Sequence, residues 1–250
     1  MQYNTEISEL FHENTKITPF DNGEELSDLP PPLEPGVVLS RYRLPQVPFQ
    51  TNGLHIEQAL VQRVTARDFD PRVPLSIATL SRLLAFSCGH TTPLLESPEQ
   101  PEFRRAFPSA GASYPLEIYP IVLRVAGLQA GVYHYSTQDH SLELLRPGNF
   151  GKALATWTLN QPYVADTGVA FVMAGFPDRI TPRYGPRGYR YILIEAGHIA
   201  QNLYLLGTSY GLGVLANGGF VDAAIDRLIG VNEINQIALY SVFVGVLKRR

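Results

Sequence analysis

The segment from Arg187 to Phe220 sets the tightest limit on what this chain can fold into. Its first half, through Ile192, Leu193, Ile194, Ala196, Ile199, Leu203, Leu205 and Leu206, predicts a helix that is apolar almost all round. Such a helix has to be covered on every side. A chain of 250 residues can supply that cover, and a symmetric partner supplies it more readily. The second half, Gly211 to Phe220, reads as a short apolar strand that runs into Asn217, Gly218 and Gly219. Backbone without side chains can lie close against a flat ligand there. A cofactor beside a helix at the core of a dimer is the arrangement this segment implies.

The rest of the chain predicts an α+β domain with a mainly antiparallel sheet around that long central helix. Residues 1–50 carry Pro30, Pro31, Pro32, Pro35, Pro45 and Pro48, which disfavour regular structure and suit an extended arm packed on the surface of a 51–250 domain. Ile56, Ala59, Leu60 and Arg63 recur at helical spacing, with Thr51 or Asn52 as the N-cap. A second helix after Ser76 turns Leu80, Leu83 and Leu84 inward and ends near Gly89. Strands are expected over 116–125, 132–135, 142–145, 169–175 and 237–247, and helices over 148–159 and 222–229.

A formal net charge of -3 gives no general attraction to nucleic acid or to an anionic membrane, so neither is expected as a partner. No apolar run approaches the length of a membrane span, and Met1-Gln-Tyr-Asn-Thr-Glu6 lacks the basic-then-apolar pattern of a secretory signal. Cys88 is the only cysteine and the histidines share no metal spacing, so neither a disulfide nor a metal is expected, and a reducing, cytoplasmic setting is.

Three stretches combine residue types that can do chemistry. Arg63-Val-Thr-Ala-Arg67 sets two guanidinium groups and a hydroxyl within five residues, a combination that can grip a phosphate or form a solvated basic turn. In Pro108-Ser-Ala-Gly-Ala-Ser-Tyr-Pro115, small side chains would let a planar ring lie against backbone amides, or would simply make a tight loop. Arg183-Tyr-Gly-Pro-Arg-Gly-Tyr-Arg-Tyr191 gathers arginines and tyrosines at the entrance of the central helix, for function or for packing. Tyr184 is the residue there that can exchange a proton. His198 reads as a buried polar group satisfied across a subunit contact, and Cys88 as a small core residue.

Taken together these motifs resemble the flavin-dependent nitroreductase superfamily, and within it the SagB-type dehydrogenases that oxidise azolines to azoles in ribosomal peptide natural products. The resemblance runs from Phe11-His-Glu-Asn-Thr-Lys16 through the three stretches above and Gly131-Val-Tyr-His-Tyr135. It continues through Glu195-Ala-Gly-His-Ile-Ala-Gln-Asn202 and Gly211-Leu-Gly213 to Gly218-Gly-Phe220, and so spans nearly the whole chain. It implies a nitroreductase-like FMN-binding fold in an intertwined homodimer. Arg63, Thr65 and Arg67 match the motif that contacts the FMN phosphate, ribityl chain and pyrimidine edge, with Val64 where the family has a second arginine. Ser109, Ala110 and Gly111 match the loop beside the isoalloxazine, and Gly218 and Gly219 the backbone facing its reactive nitrogen. Lys248 or Arg249 would add a phosphate contact.

Azoline dehydrogenases resemble one another in a Lys-Tyr pair where this chain has Arg183-Tyr184. Arginine stays protonated and cannot act as a base, so Tyr184 is left to move the proton while Arg183 either assists it by proximity or holds the substrate. The resemblance therefore implies an FMN oxidoreductase that converts peptide thiazolines or oxazolines to azoles, with oxygen reoxidising the flavin, alongside a partner such as a cyclodehydratase complex. Two other readings stand beside it: a nitro or quinone reductase fed by NAD(P)H, and a non-catalytic flavin-fold scaffold within a peptide-modifying complex.

Overall fold

Val169–Gly175 is buried at all seven positions, so it has to lie inside a sheet covered on both faces. The computed structural model, which describes residues 6–18, 29–33, 36–48, 53–91, 104–232 and 235–249, places it there. In chain order the elements are α1 (Glu6–Thr15), β1 (Ser40–Arg43), α2 (Ile56–Gln62), β2 (Leu75–Ser76), α3 (Ile77–Ser87), β3 (Leu116–Val122), β4 (Val125–Ala126), β5 (Gly131–Ser136) and β6 (Ser141–Pro147). They continue as α4 (Gly151–Trp157), β7 (Val169–Gly175), α5 (Thr181–Tyr184), α6 (Arg187–Ser209), β8 (Leu212–Asn217), α7 (Asp222–Ile229) and β9 (Ile237–Val246). The main sheet has seven strands in the order β1-β6-β5-β3-β7-β9-β8, antiparallel at every pairing. A two-residue ribbon pairs β2 with β4 in parallel.

The strand period of two divides the core between the faces. Val169, Phe171 and Met173 of β7 pack on one side with Leu80, Leu83 and Leu84 of α3 and with Ile192, Ile199 and Leu203 of α6. Ala170, Val172 and Ala174 pack on the other with Leu154 and Trp157 of α4 and with Ile225 and Leu228 of α7. The expected α+β class, antiparallel sheet and long helix are thus observed. Ser76 caps α3 by accepting from the Thr79 N–H at 3.0 Å, where the sequence placed the start of that helix.

Several boundaries differ from expectation. Residues 1–50 are not an arm devoid of regular structure: they hold α1 and also β1, an edge strand of the main sheet. Ser40–Arg43 falls in a gap between prolines, which leaves it free to pair with the distant β6 from Ser40↔Leu144 to Arg43↔Ser141. The N-cap of α2 is His55, whose N–H is held by Gln58 Oε1 at 3.2 Å, whereas Thr51 and Asn52 lie outside the described residues. The helix expected over 148–159 is confined to Gly151–Trp157, because Leu159 and Asn160 turn into the left-handed region at φ 60° and 56°.

Helix α6 departs most usefully from its sequence pattern. Ile192, Glu195, Ala196, Ile199, Ala200 and Leu203 are buried, while Arg190, Leu193, Ile194, Gly197, His198 and Gln201 form an exposed stripe. A single chain therefore covers one side only and leaves Leu193 39% and Ile194 54% exposed. Towards the other end of the helix, a Cβ at Gly207 would overlap the Val214 side chain, so glycine is what lets α6 lie directly on β8.

On the sheet, His134 of β5 holds Glu143 Oε2 of β6 at 2.9 Å through Nδ1 and Glu117 Oε2 of β3 at 3.1 Å through Nε2. Both ring nitrogens face carboxylates, which only the doubly protonated imidazolium can satisfy. Arg41 pairs with Glu143 and Arg179 with Glu117, giving an alternating chain of charges across β1, β6, β5 and β3. Burial alone would lower the His134 pKa, and the two carboxylates outweigh it and raise the value. Burial would raise both glutamates, and the hydrogen bonds from His134 with the arginines hold them below the ordinary range.

The raised imidazole contributes stability that is complete below its ordinary pKa and is lost as pH rises through the shifted one. The lowered carboxylates contribute stability above their ordinary range that is lost on acidification. His134→Gln should therefore cost roughly 1–3 kcal/mol near pH 6 and distinctly less near pH 9, read from urea unfolding against the parent. An equal cost at both pH values would contradict this assignment.

Candidate functional site

Two groups of residues come together at different points along α6. The first begins where α2 ends. The Arg63 N–H still reaches Ala59 O, and its backbone then leaves the helix at ψ 119°. The chain runs on beside β8, with the Ala66 N–H donating to Val214 O at 2.9 Å. Tyr204 of α6 fixes this turn: its Oη lies 3.0 Å from Thr65 Oγ1 and accepts from the Ala216 N–H at 3.0 Å, and the Arg63 guanidinium stands 5.2 Å from its ring centroid. Val64 points outward, and Arg67 is exposed with no ion pair among the described residues. The C-terminal tail returns to the same place, where Lys248 Nζ pairs with Asp68 at 3.1 Å and Arg249 is exposed nearby in sequence.

Gly218 and Gly219 follow β8, an edge strand of the main sheet. Asn217 Oδ1 accepts from the Gly219 N–H at 2.7 Å and Asn217 O from the Ser241 hydroxyl at 2.9 Å, which fixes the turn. Asn217 Nδ2 is buried without a partner among the described residues. Gly218 is exposed, and the nearest atom a Cβ there would meet belongs to Tyr240 at 3.6 Å. That leaves a bare stretch of backbone open to a ligand.

The second group is built on the loop before β3. The Ser109 hydroxyl donates to Glu195 Oε1 at 2.7 Å, the Ala110 N–H donates to the same oxygen at 3.3 Å, and Ser109 Oγ accepts from the Tyr114 N–H at 2.9 Å. Arg183 Nη1 donates to Gly111 O at 3.3 Å, and its guanidinium is 5.4 Å from the Tyr184 ring, which meets Tyr191 edge-on at 5.1 Å. Gly111 sits at φ 58°, and a Cβ on it would lie 2.7 Å from Tyr184 Oη and overlap the Arg183 guanidinium. Glycine is required twice over there, by conformation and by space. Glu195 itself is 2% exposed; burial raises its pKa against the opposing bonds from Ser109 and Ala110 and the charge of Arg105.

The structure thus joins Ser109, Ala110 and Gly111 with Arg183 and Tyr184, and joins Arg63, Thr65 and Arg67 with Lys248. It does not join the two groups within one chain through α6. Glu195 and Tyr204 are nine residues apart on that helix, which is roughly 13 Å along the axis and half a turn around it. Sequence reasoning overlooked both as organisers of the site. A glutamate on the inner face of an otherwise apolar helix was the available signal, because a buried carboxyl needs a hydrogen-bond donor. His198, expected to be satisfied across a subunit contact, is exposed in the single chain on the stripe with Leu193 and Ile194. Burial pushes the Cys88 thiol up to about 12, as befits a core residue. No group of three His, Cys, Asp or Glu among the described residues has the geometry to hold a metal, and no helix of these residues is long and apolar enough to cross a membrane.

Comparison with known proteins places this geometry in context. Residues 60–246 match the model of the Nitroreductase family. The chain is 36% identical over 180 residues to the nitroreductase-like protein MJ1384 of Methanocaldococcus jannaschii, an alignment covering 72% of this chain and 86% of that one. It is 28% identical over 190 residues to the microcin B17-processing protein McbC of Escherichia coli, covering 71% of this chain and 65% of McbC. Among solved structures, the E. coli microcin synthetase McbBCD complex with truncated pro-MccB17 bound matches with a TM-score of 0.68 at 24% identity, over 98% of this chain and 93% of the matched chain, and shows the fold.

The crowding at Gly111 can be separated from its backbone strain by a matched pair. Gly127 also has positive φ, at 79°, but nothing lies within 4 Å of where its Cβ would be. Gly127→Ala should lose about 1–2 kcal/mol, the left-handed cost alone. Gly111→Ala should lose more than that in thermal unfolding and should shift Arg183 and Tyr184 in a crystal structure. Equal losses, with both side chains unmoved, would contradict the described contact.

Proposed function

The chain is a member of the nitroreductase family, a family of oxidoreductases, and from that premise we propose that it binds FMN between two copies of itself and dehydrogenates a peptide-borne thiazoline or oxazoline. The observation that carries the cofactor reading is the donor set. Two guanidinium groups, a hydroxyl and Lys248 cluster by the exposed turn, with Arg67 unpaired among the described residues, and this suits a single phosphate. The open backbone of Gly218, with Gly219 packed against Leu159 beside it, suits the edge of a flat ring. FMN, when bound, supplies the acceptor for a hydride. Arg63, Thr65 and Arg67 would hold it, Lys248 or Arg249 would add to the phosphate contacts, and Ser109, Ala110 and Gly111 would line the ring's other side. A fixed cation such as Arg67 also favours negative charge at the pyrimidine edge.

Two copies are part of this reading because each chain leaves its halves of the site apart. The exposed apolar side chains of α6, Leu193 and Ile194, with Leu60, Val61 and Val64 at α2, form the surface for the second copy. Removing hydrogen from adjacent carbons also needs a proton acceptor. Tyr184 stands at the surface of the Gly111 loop and takes that role, while Arg183, permanently cationic and tied to Gly111 O, orients the substrate. The similarity to McbC, named for microcin B17 processing, supports a peptide substrate and a peptide-modifying complex such as one with a cyclodehydratase. Arginine at position 183, where azoline dehydrogenases carry lysine, is what favours the second reading, a reductase of nitroaromatics or quinones fed by NAD(P)H.

Purified protein should be yellow and dimeric, and colourless protein that does not retain added FMN would contradict the reading. Arg67→Ala should weaken FMN binding about tenfold or more, as loss of a charge-assisted contact does. Tyr184→Phe should retain FMN and lose roughly 10²–10⁴ in turnover of a peptide azoline. Unchanged turnover in that variant excludes Tyr184 as the proton acceptor. A parent that leaves azolines untouched but reduces nitroaromatics with NADPH belongs to the second reading, and one inert in both assays is a scaffold.

A further inference from the structure

The loop beside the Arg183-Tyr184 pair is held in a conformation its own residues resist. Within four positions, Gly111, Ala112 and Tyr114 take φ values of 58°, 53° and 44°. Side chains on Ala112 and Tyr114 disfavour that region, and such residues persist only where the surroundings dictate them. Three sets of contacts do so. The carboxyl of Glu195 receives both the Ser109 hydroxyl and the Ala110 N–H on one oxygen. Ser109 Oγ in turn receives the Tyr114 N–H, so one carboxyl oxygen governs both ends of the strained run. Arg105 adds its N–H to Tyr114 Oη at 3.2 Å and sets its guanidinium over the Tyr114 ring at 5.0 Å. The conformation in turn presents Gly111 O to Arg183, and leaves only the space of a hydrogen atom between Gly111 and Tyr184.

We infer that Glu195 is a positioning residue: its buried carboxyl fixes the Ser109–Tyr114 loop, and through Gly111 the loop fixes where Arg183 and Tyr184 stand. The inference rests on the proposed role of that pair for its functional meaning, but the physical linkage stands on these contacts alone. No hydrogen bond joins Glu195 to Arg183 or Tyr184 among the described residues, and the hydrogen-bonded route between them runs through the loop. Only Oε1 is engaged, while Oε2 is buried with no partner among the described residues. An acceptor at Oε1 is therefore what the loop needs, and glutamine provides one of the same shape.

Hydrogen exchange on the full-length protein tests this without reference to flavin or turnover. In Glu195→Ala, the amides of Ala110 and Tyr114 lose their direct or relayed anchor and should exchange at least tenfold faster. The amides of Arg183, Tyr184 and Gly185, bonded to Ile180 O and Thr181 O, should accelerate with them. Glu195→Gln should match the parent at all of these sites. The amides of β7 serve as the control for the fold. If they also accelerate in Glu195→Ala, Ser109→Ala carries the same test, since it removes the hydroxyl and leaves Glu195 in place. A loop that loosens while residues 183–185 keep the parent rate overturns the inference, as does a glutamine variant that behaves like alanine. A chain that binds no FMN fails the functional reading and leaves this measurement in force. If FMN does bind, its visible circular dichroism should change in Glu195→Ala and return to the parent form in Glu195→Gln.

Discussion

Burial of the inner face of α6 against the sheet decides where the other parts of the molecule can go. Ile192, Ile199 and Leu203 lie at 1% exposure or less, and each contributes about 1.5–3 kcal/mol by leaving water. Gly207 sets the helix directly on β8, without a side chain between them. A rod of 23 residues held this way acts as a ruler. Two of its inward polar residues, Glu195 and Tyr204, reach out to segments that have little regular structure of their own. One carboxyl shapes the loop before β3, and one phenol ties the turn after α2 to the end of β8.

The arrangement follows a general physical logic: reactive loops need a rigid scaffold, and a few buried polar contacts transmit its rigidity. Each contact here occurs where leaving the polar group alone would be costly, which makes the loop geometry a consequence of core packing. The outer face of α6 obeys the opposite rule. Leu193 and Ile194 remain in water in one chain, and the groups set by Glu195 and by Tyr204 emerge on different sides of the helix. A second copy related by symmetry would resolve both features at once, covering the apolar stripe and bringing one chain's cationic turn to the other's loop.

How much of this was legible in the sequence depended on whether the cause was local. β7, α7 and the start of α3 could be read because an unbroken apolar run, an amphipathic period and a serine cap are all properties of adjacent residues. β1 escaped notice because its strand character comes from pairing with β6, about a hundred residues away, amid prolines that suggested none. The early end of α4 depends on left-handed turns at Leu159 and Asn160 that no glycine announced. At the candidate site, the residues that would touch a ligand stood out by type, as arginines, small residues and a tyrosine. Those that position them did not, since Glu195 and Tyr204 act over sequence separations of 86 and 139 residues. The Glu117, His134 and Glu143 cluster was hidden for the same reason, being assembled by strand register.

The claim at the centre of this account is that a complete flavin site takes one group from each of two chains. Mixed dimers test it most directly. One chain would carry Arg63→Ala with Arg67→Ala, and the other Gly111→Val, so that each homodimer lacks the same half of both sites. The account predicts that neither homodimer retains FMN, whereas the purified mixed dimer, with one intact site, binds one FMN per pair. A mixed dimer that forms and binds none would contradict it, because the two groups would then have to come from the same chain.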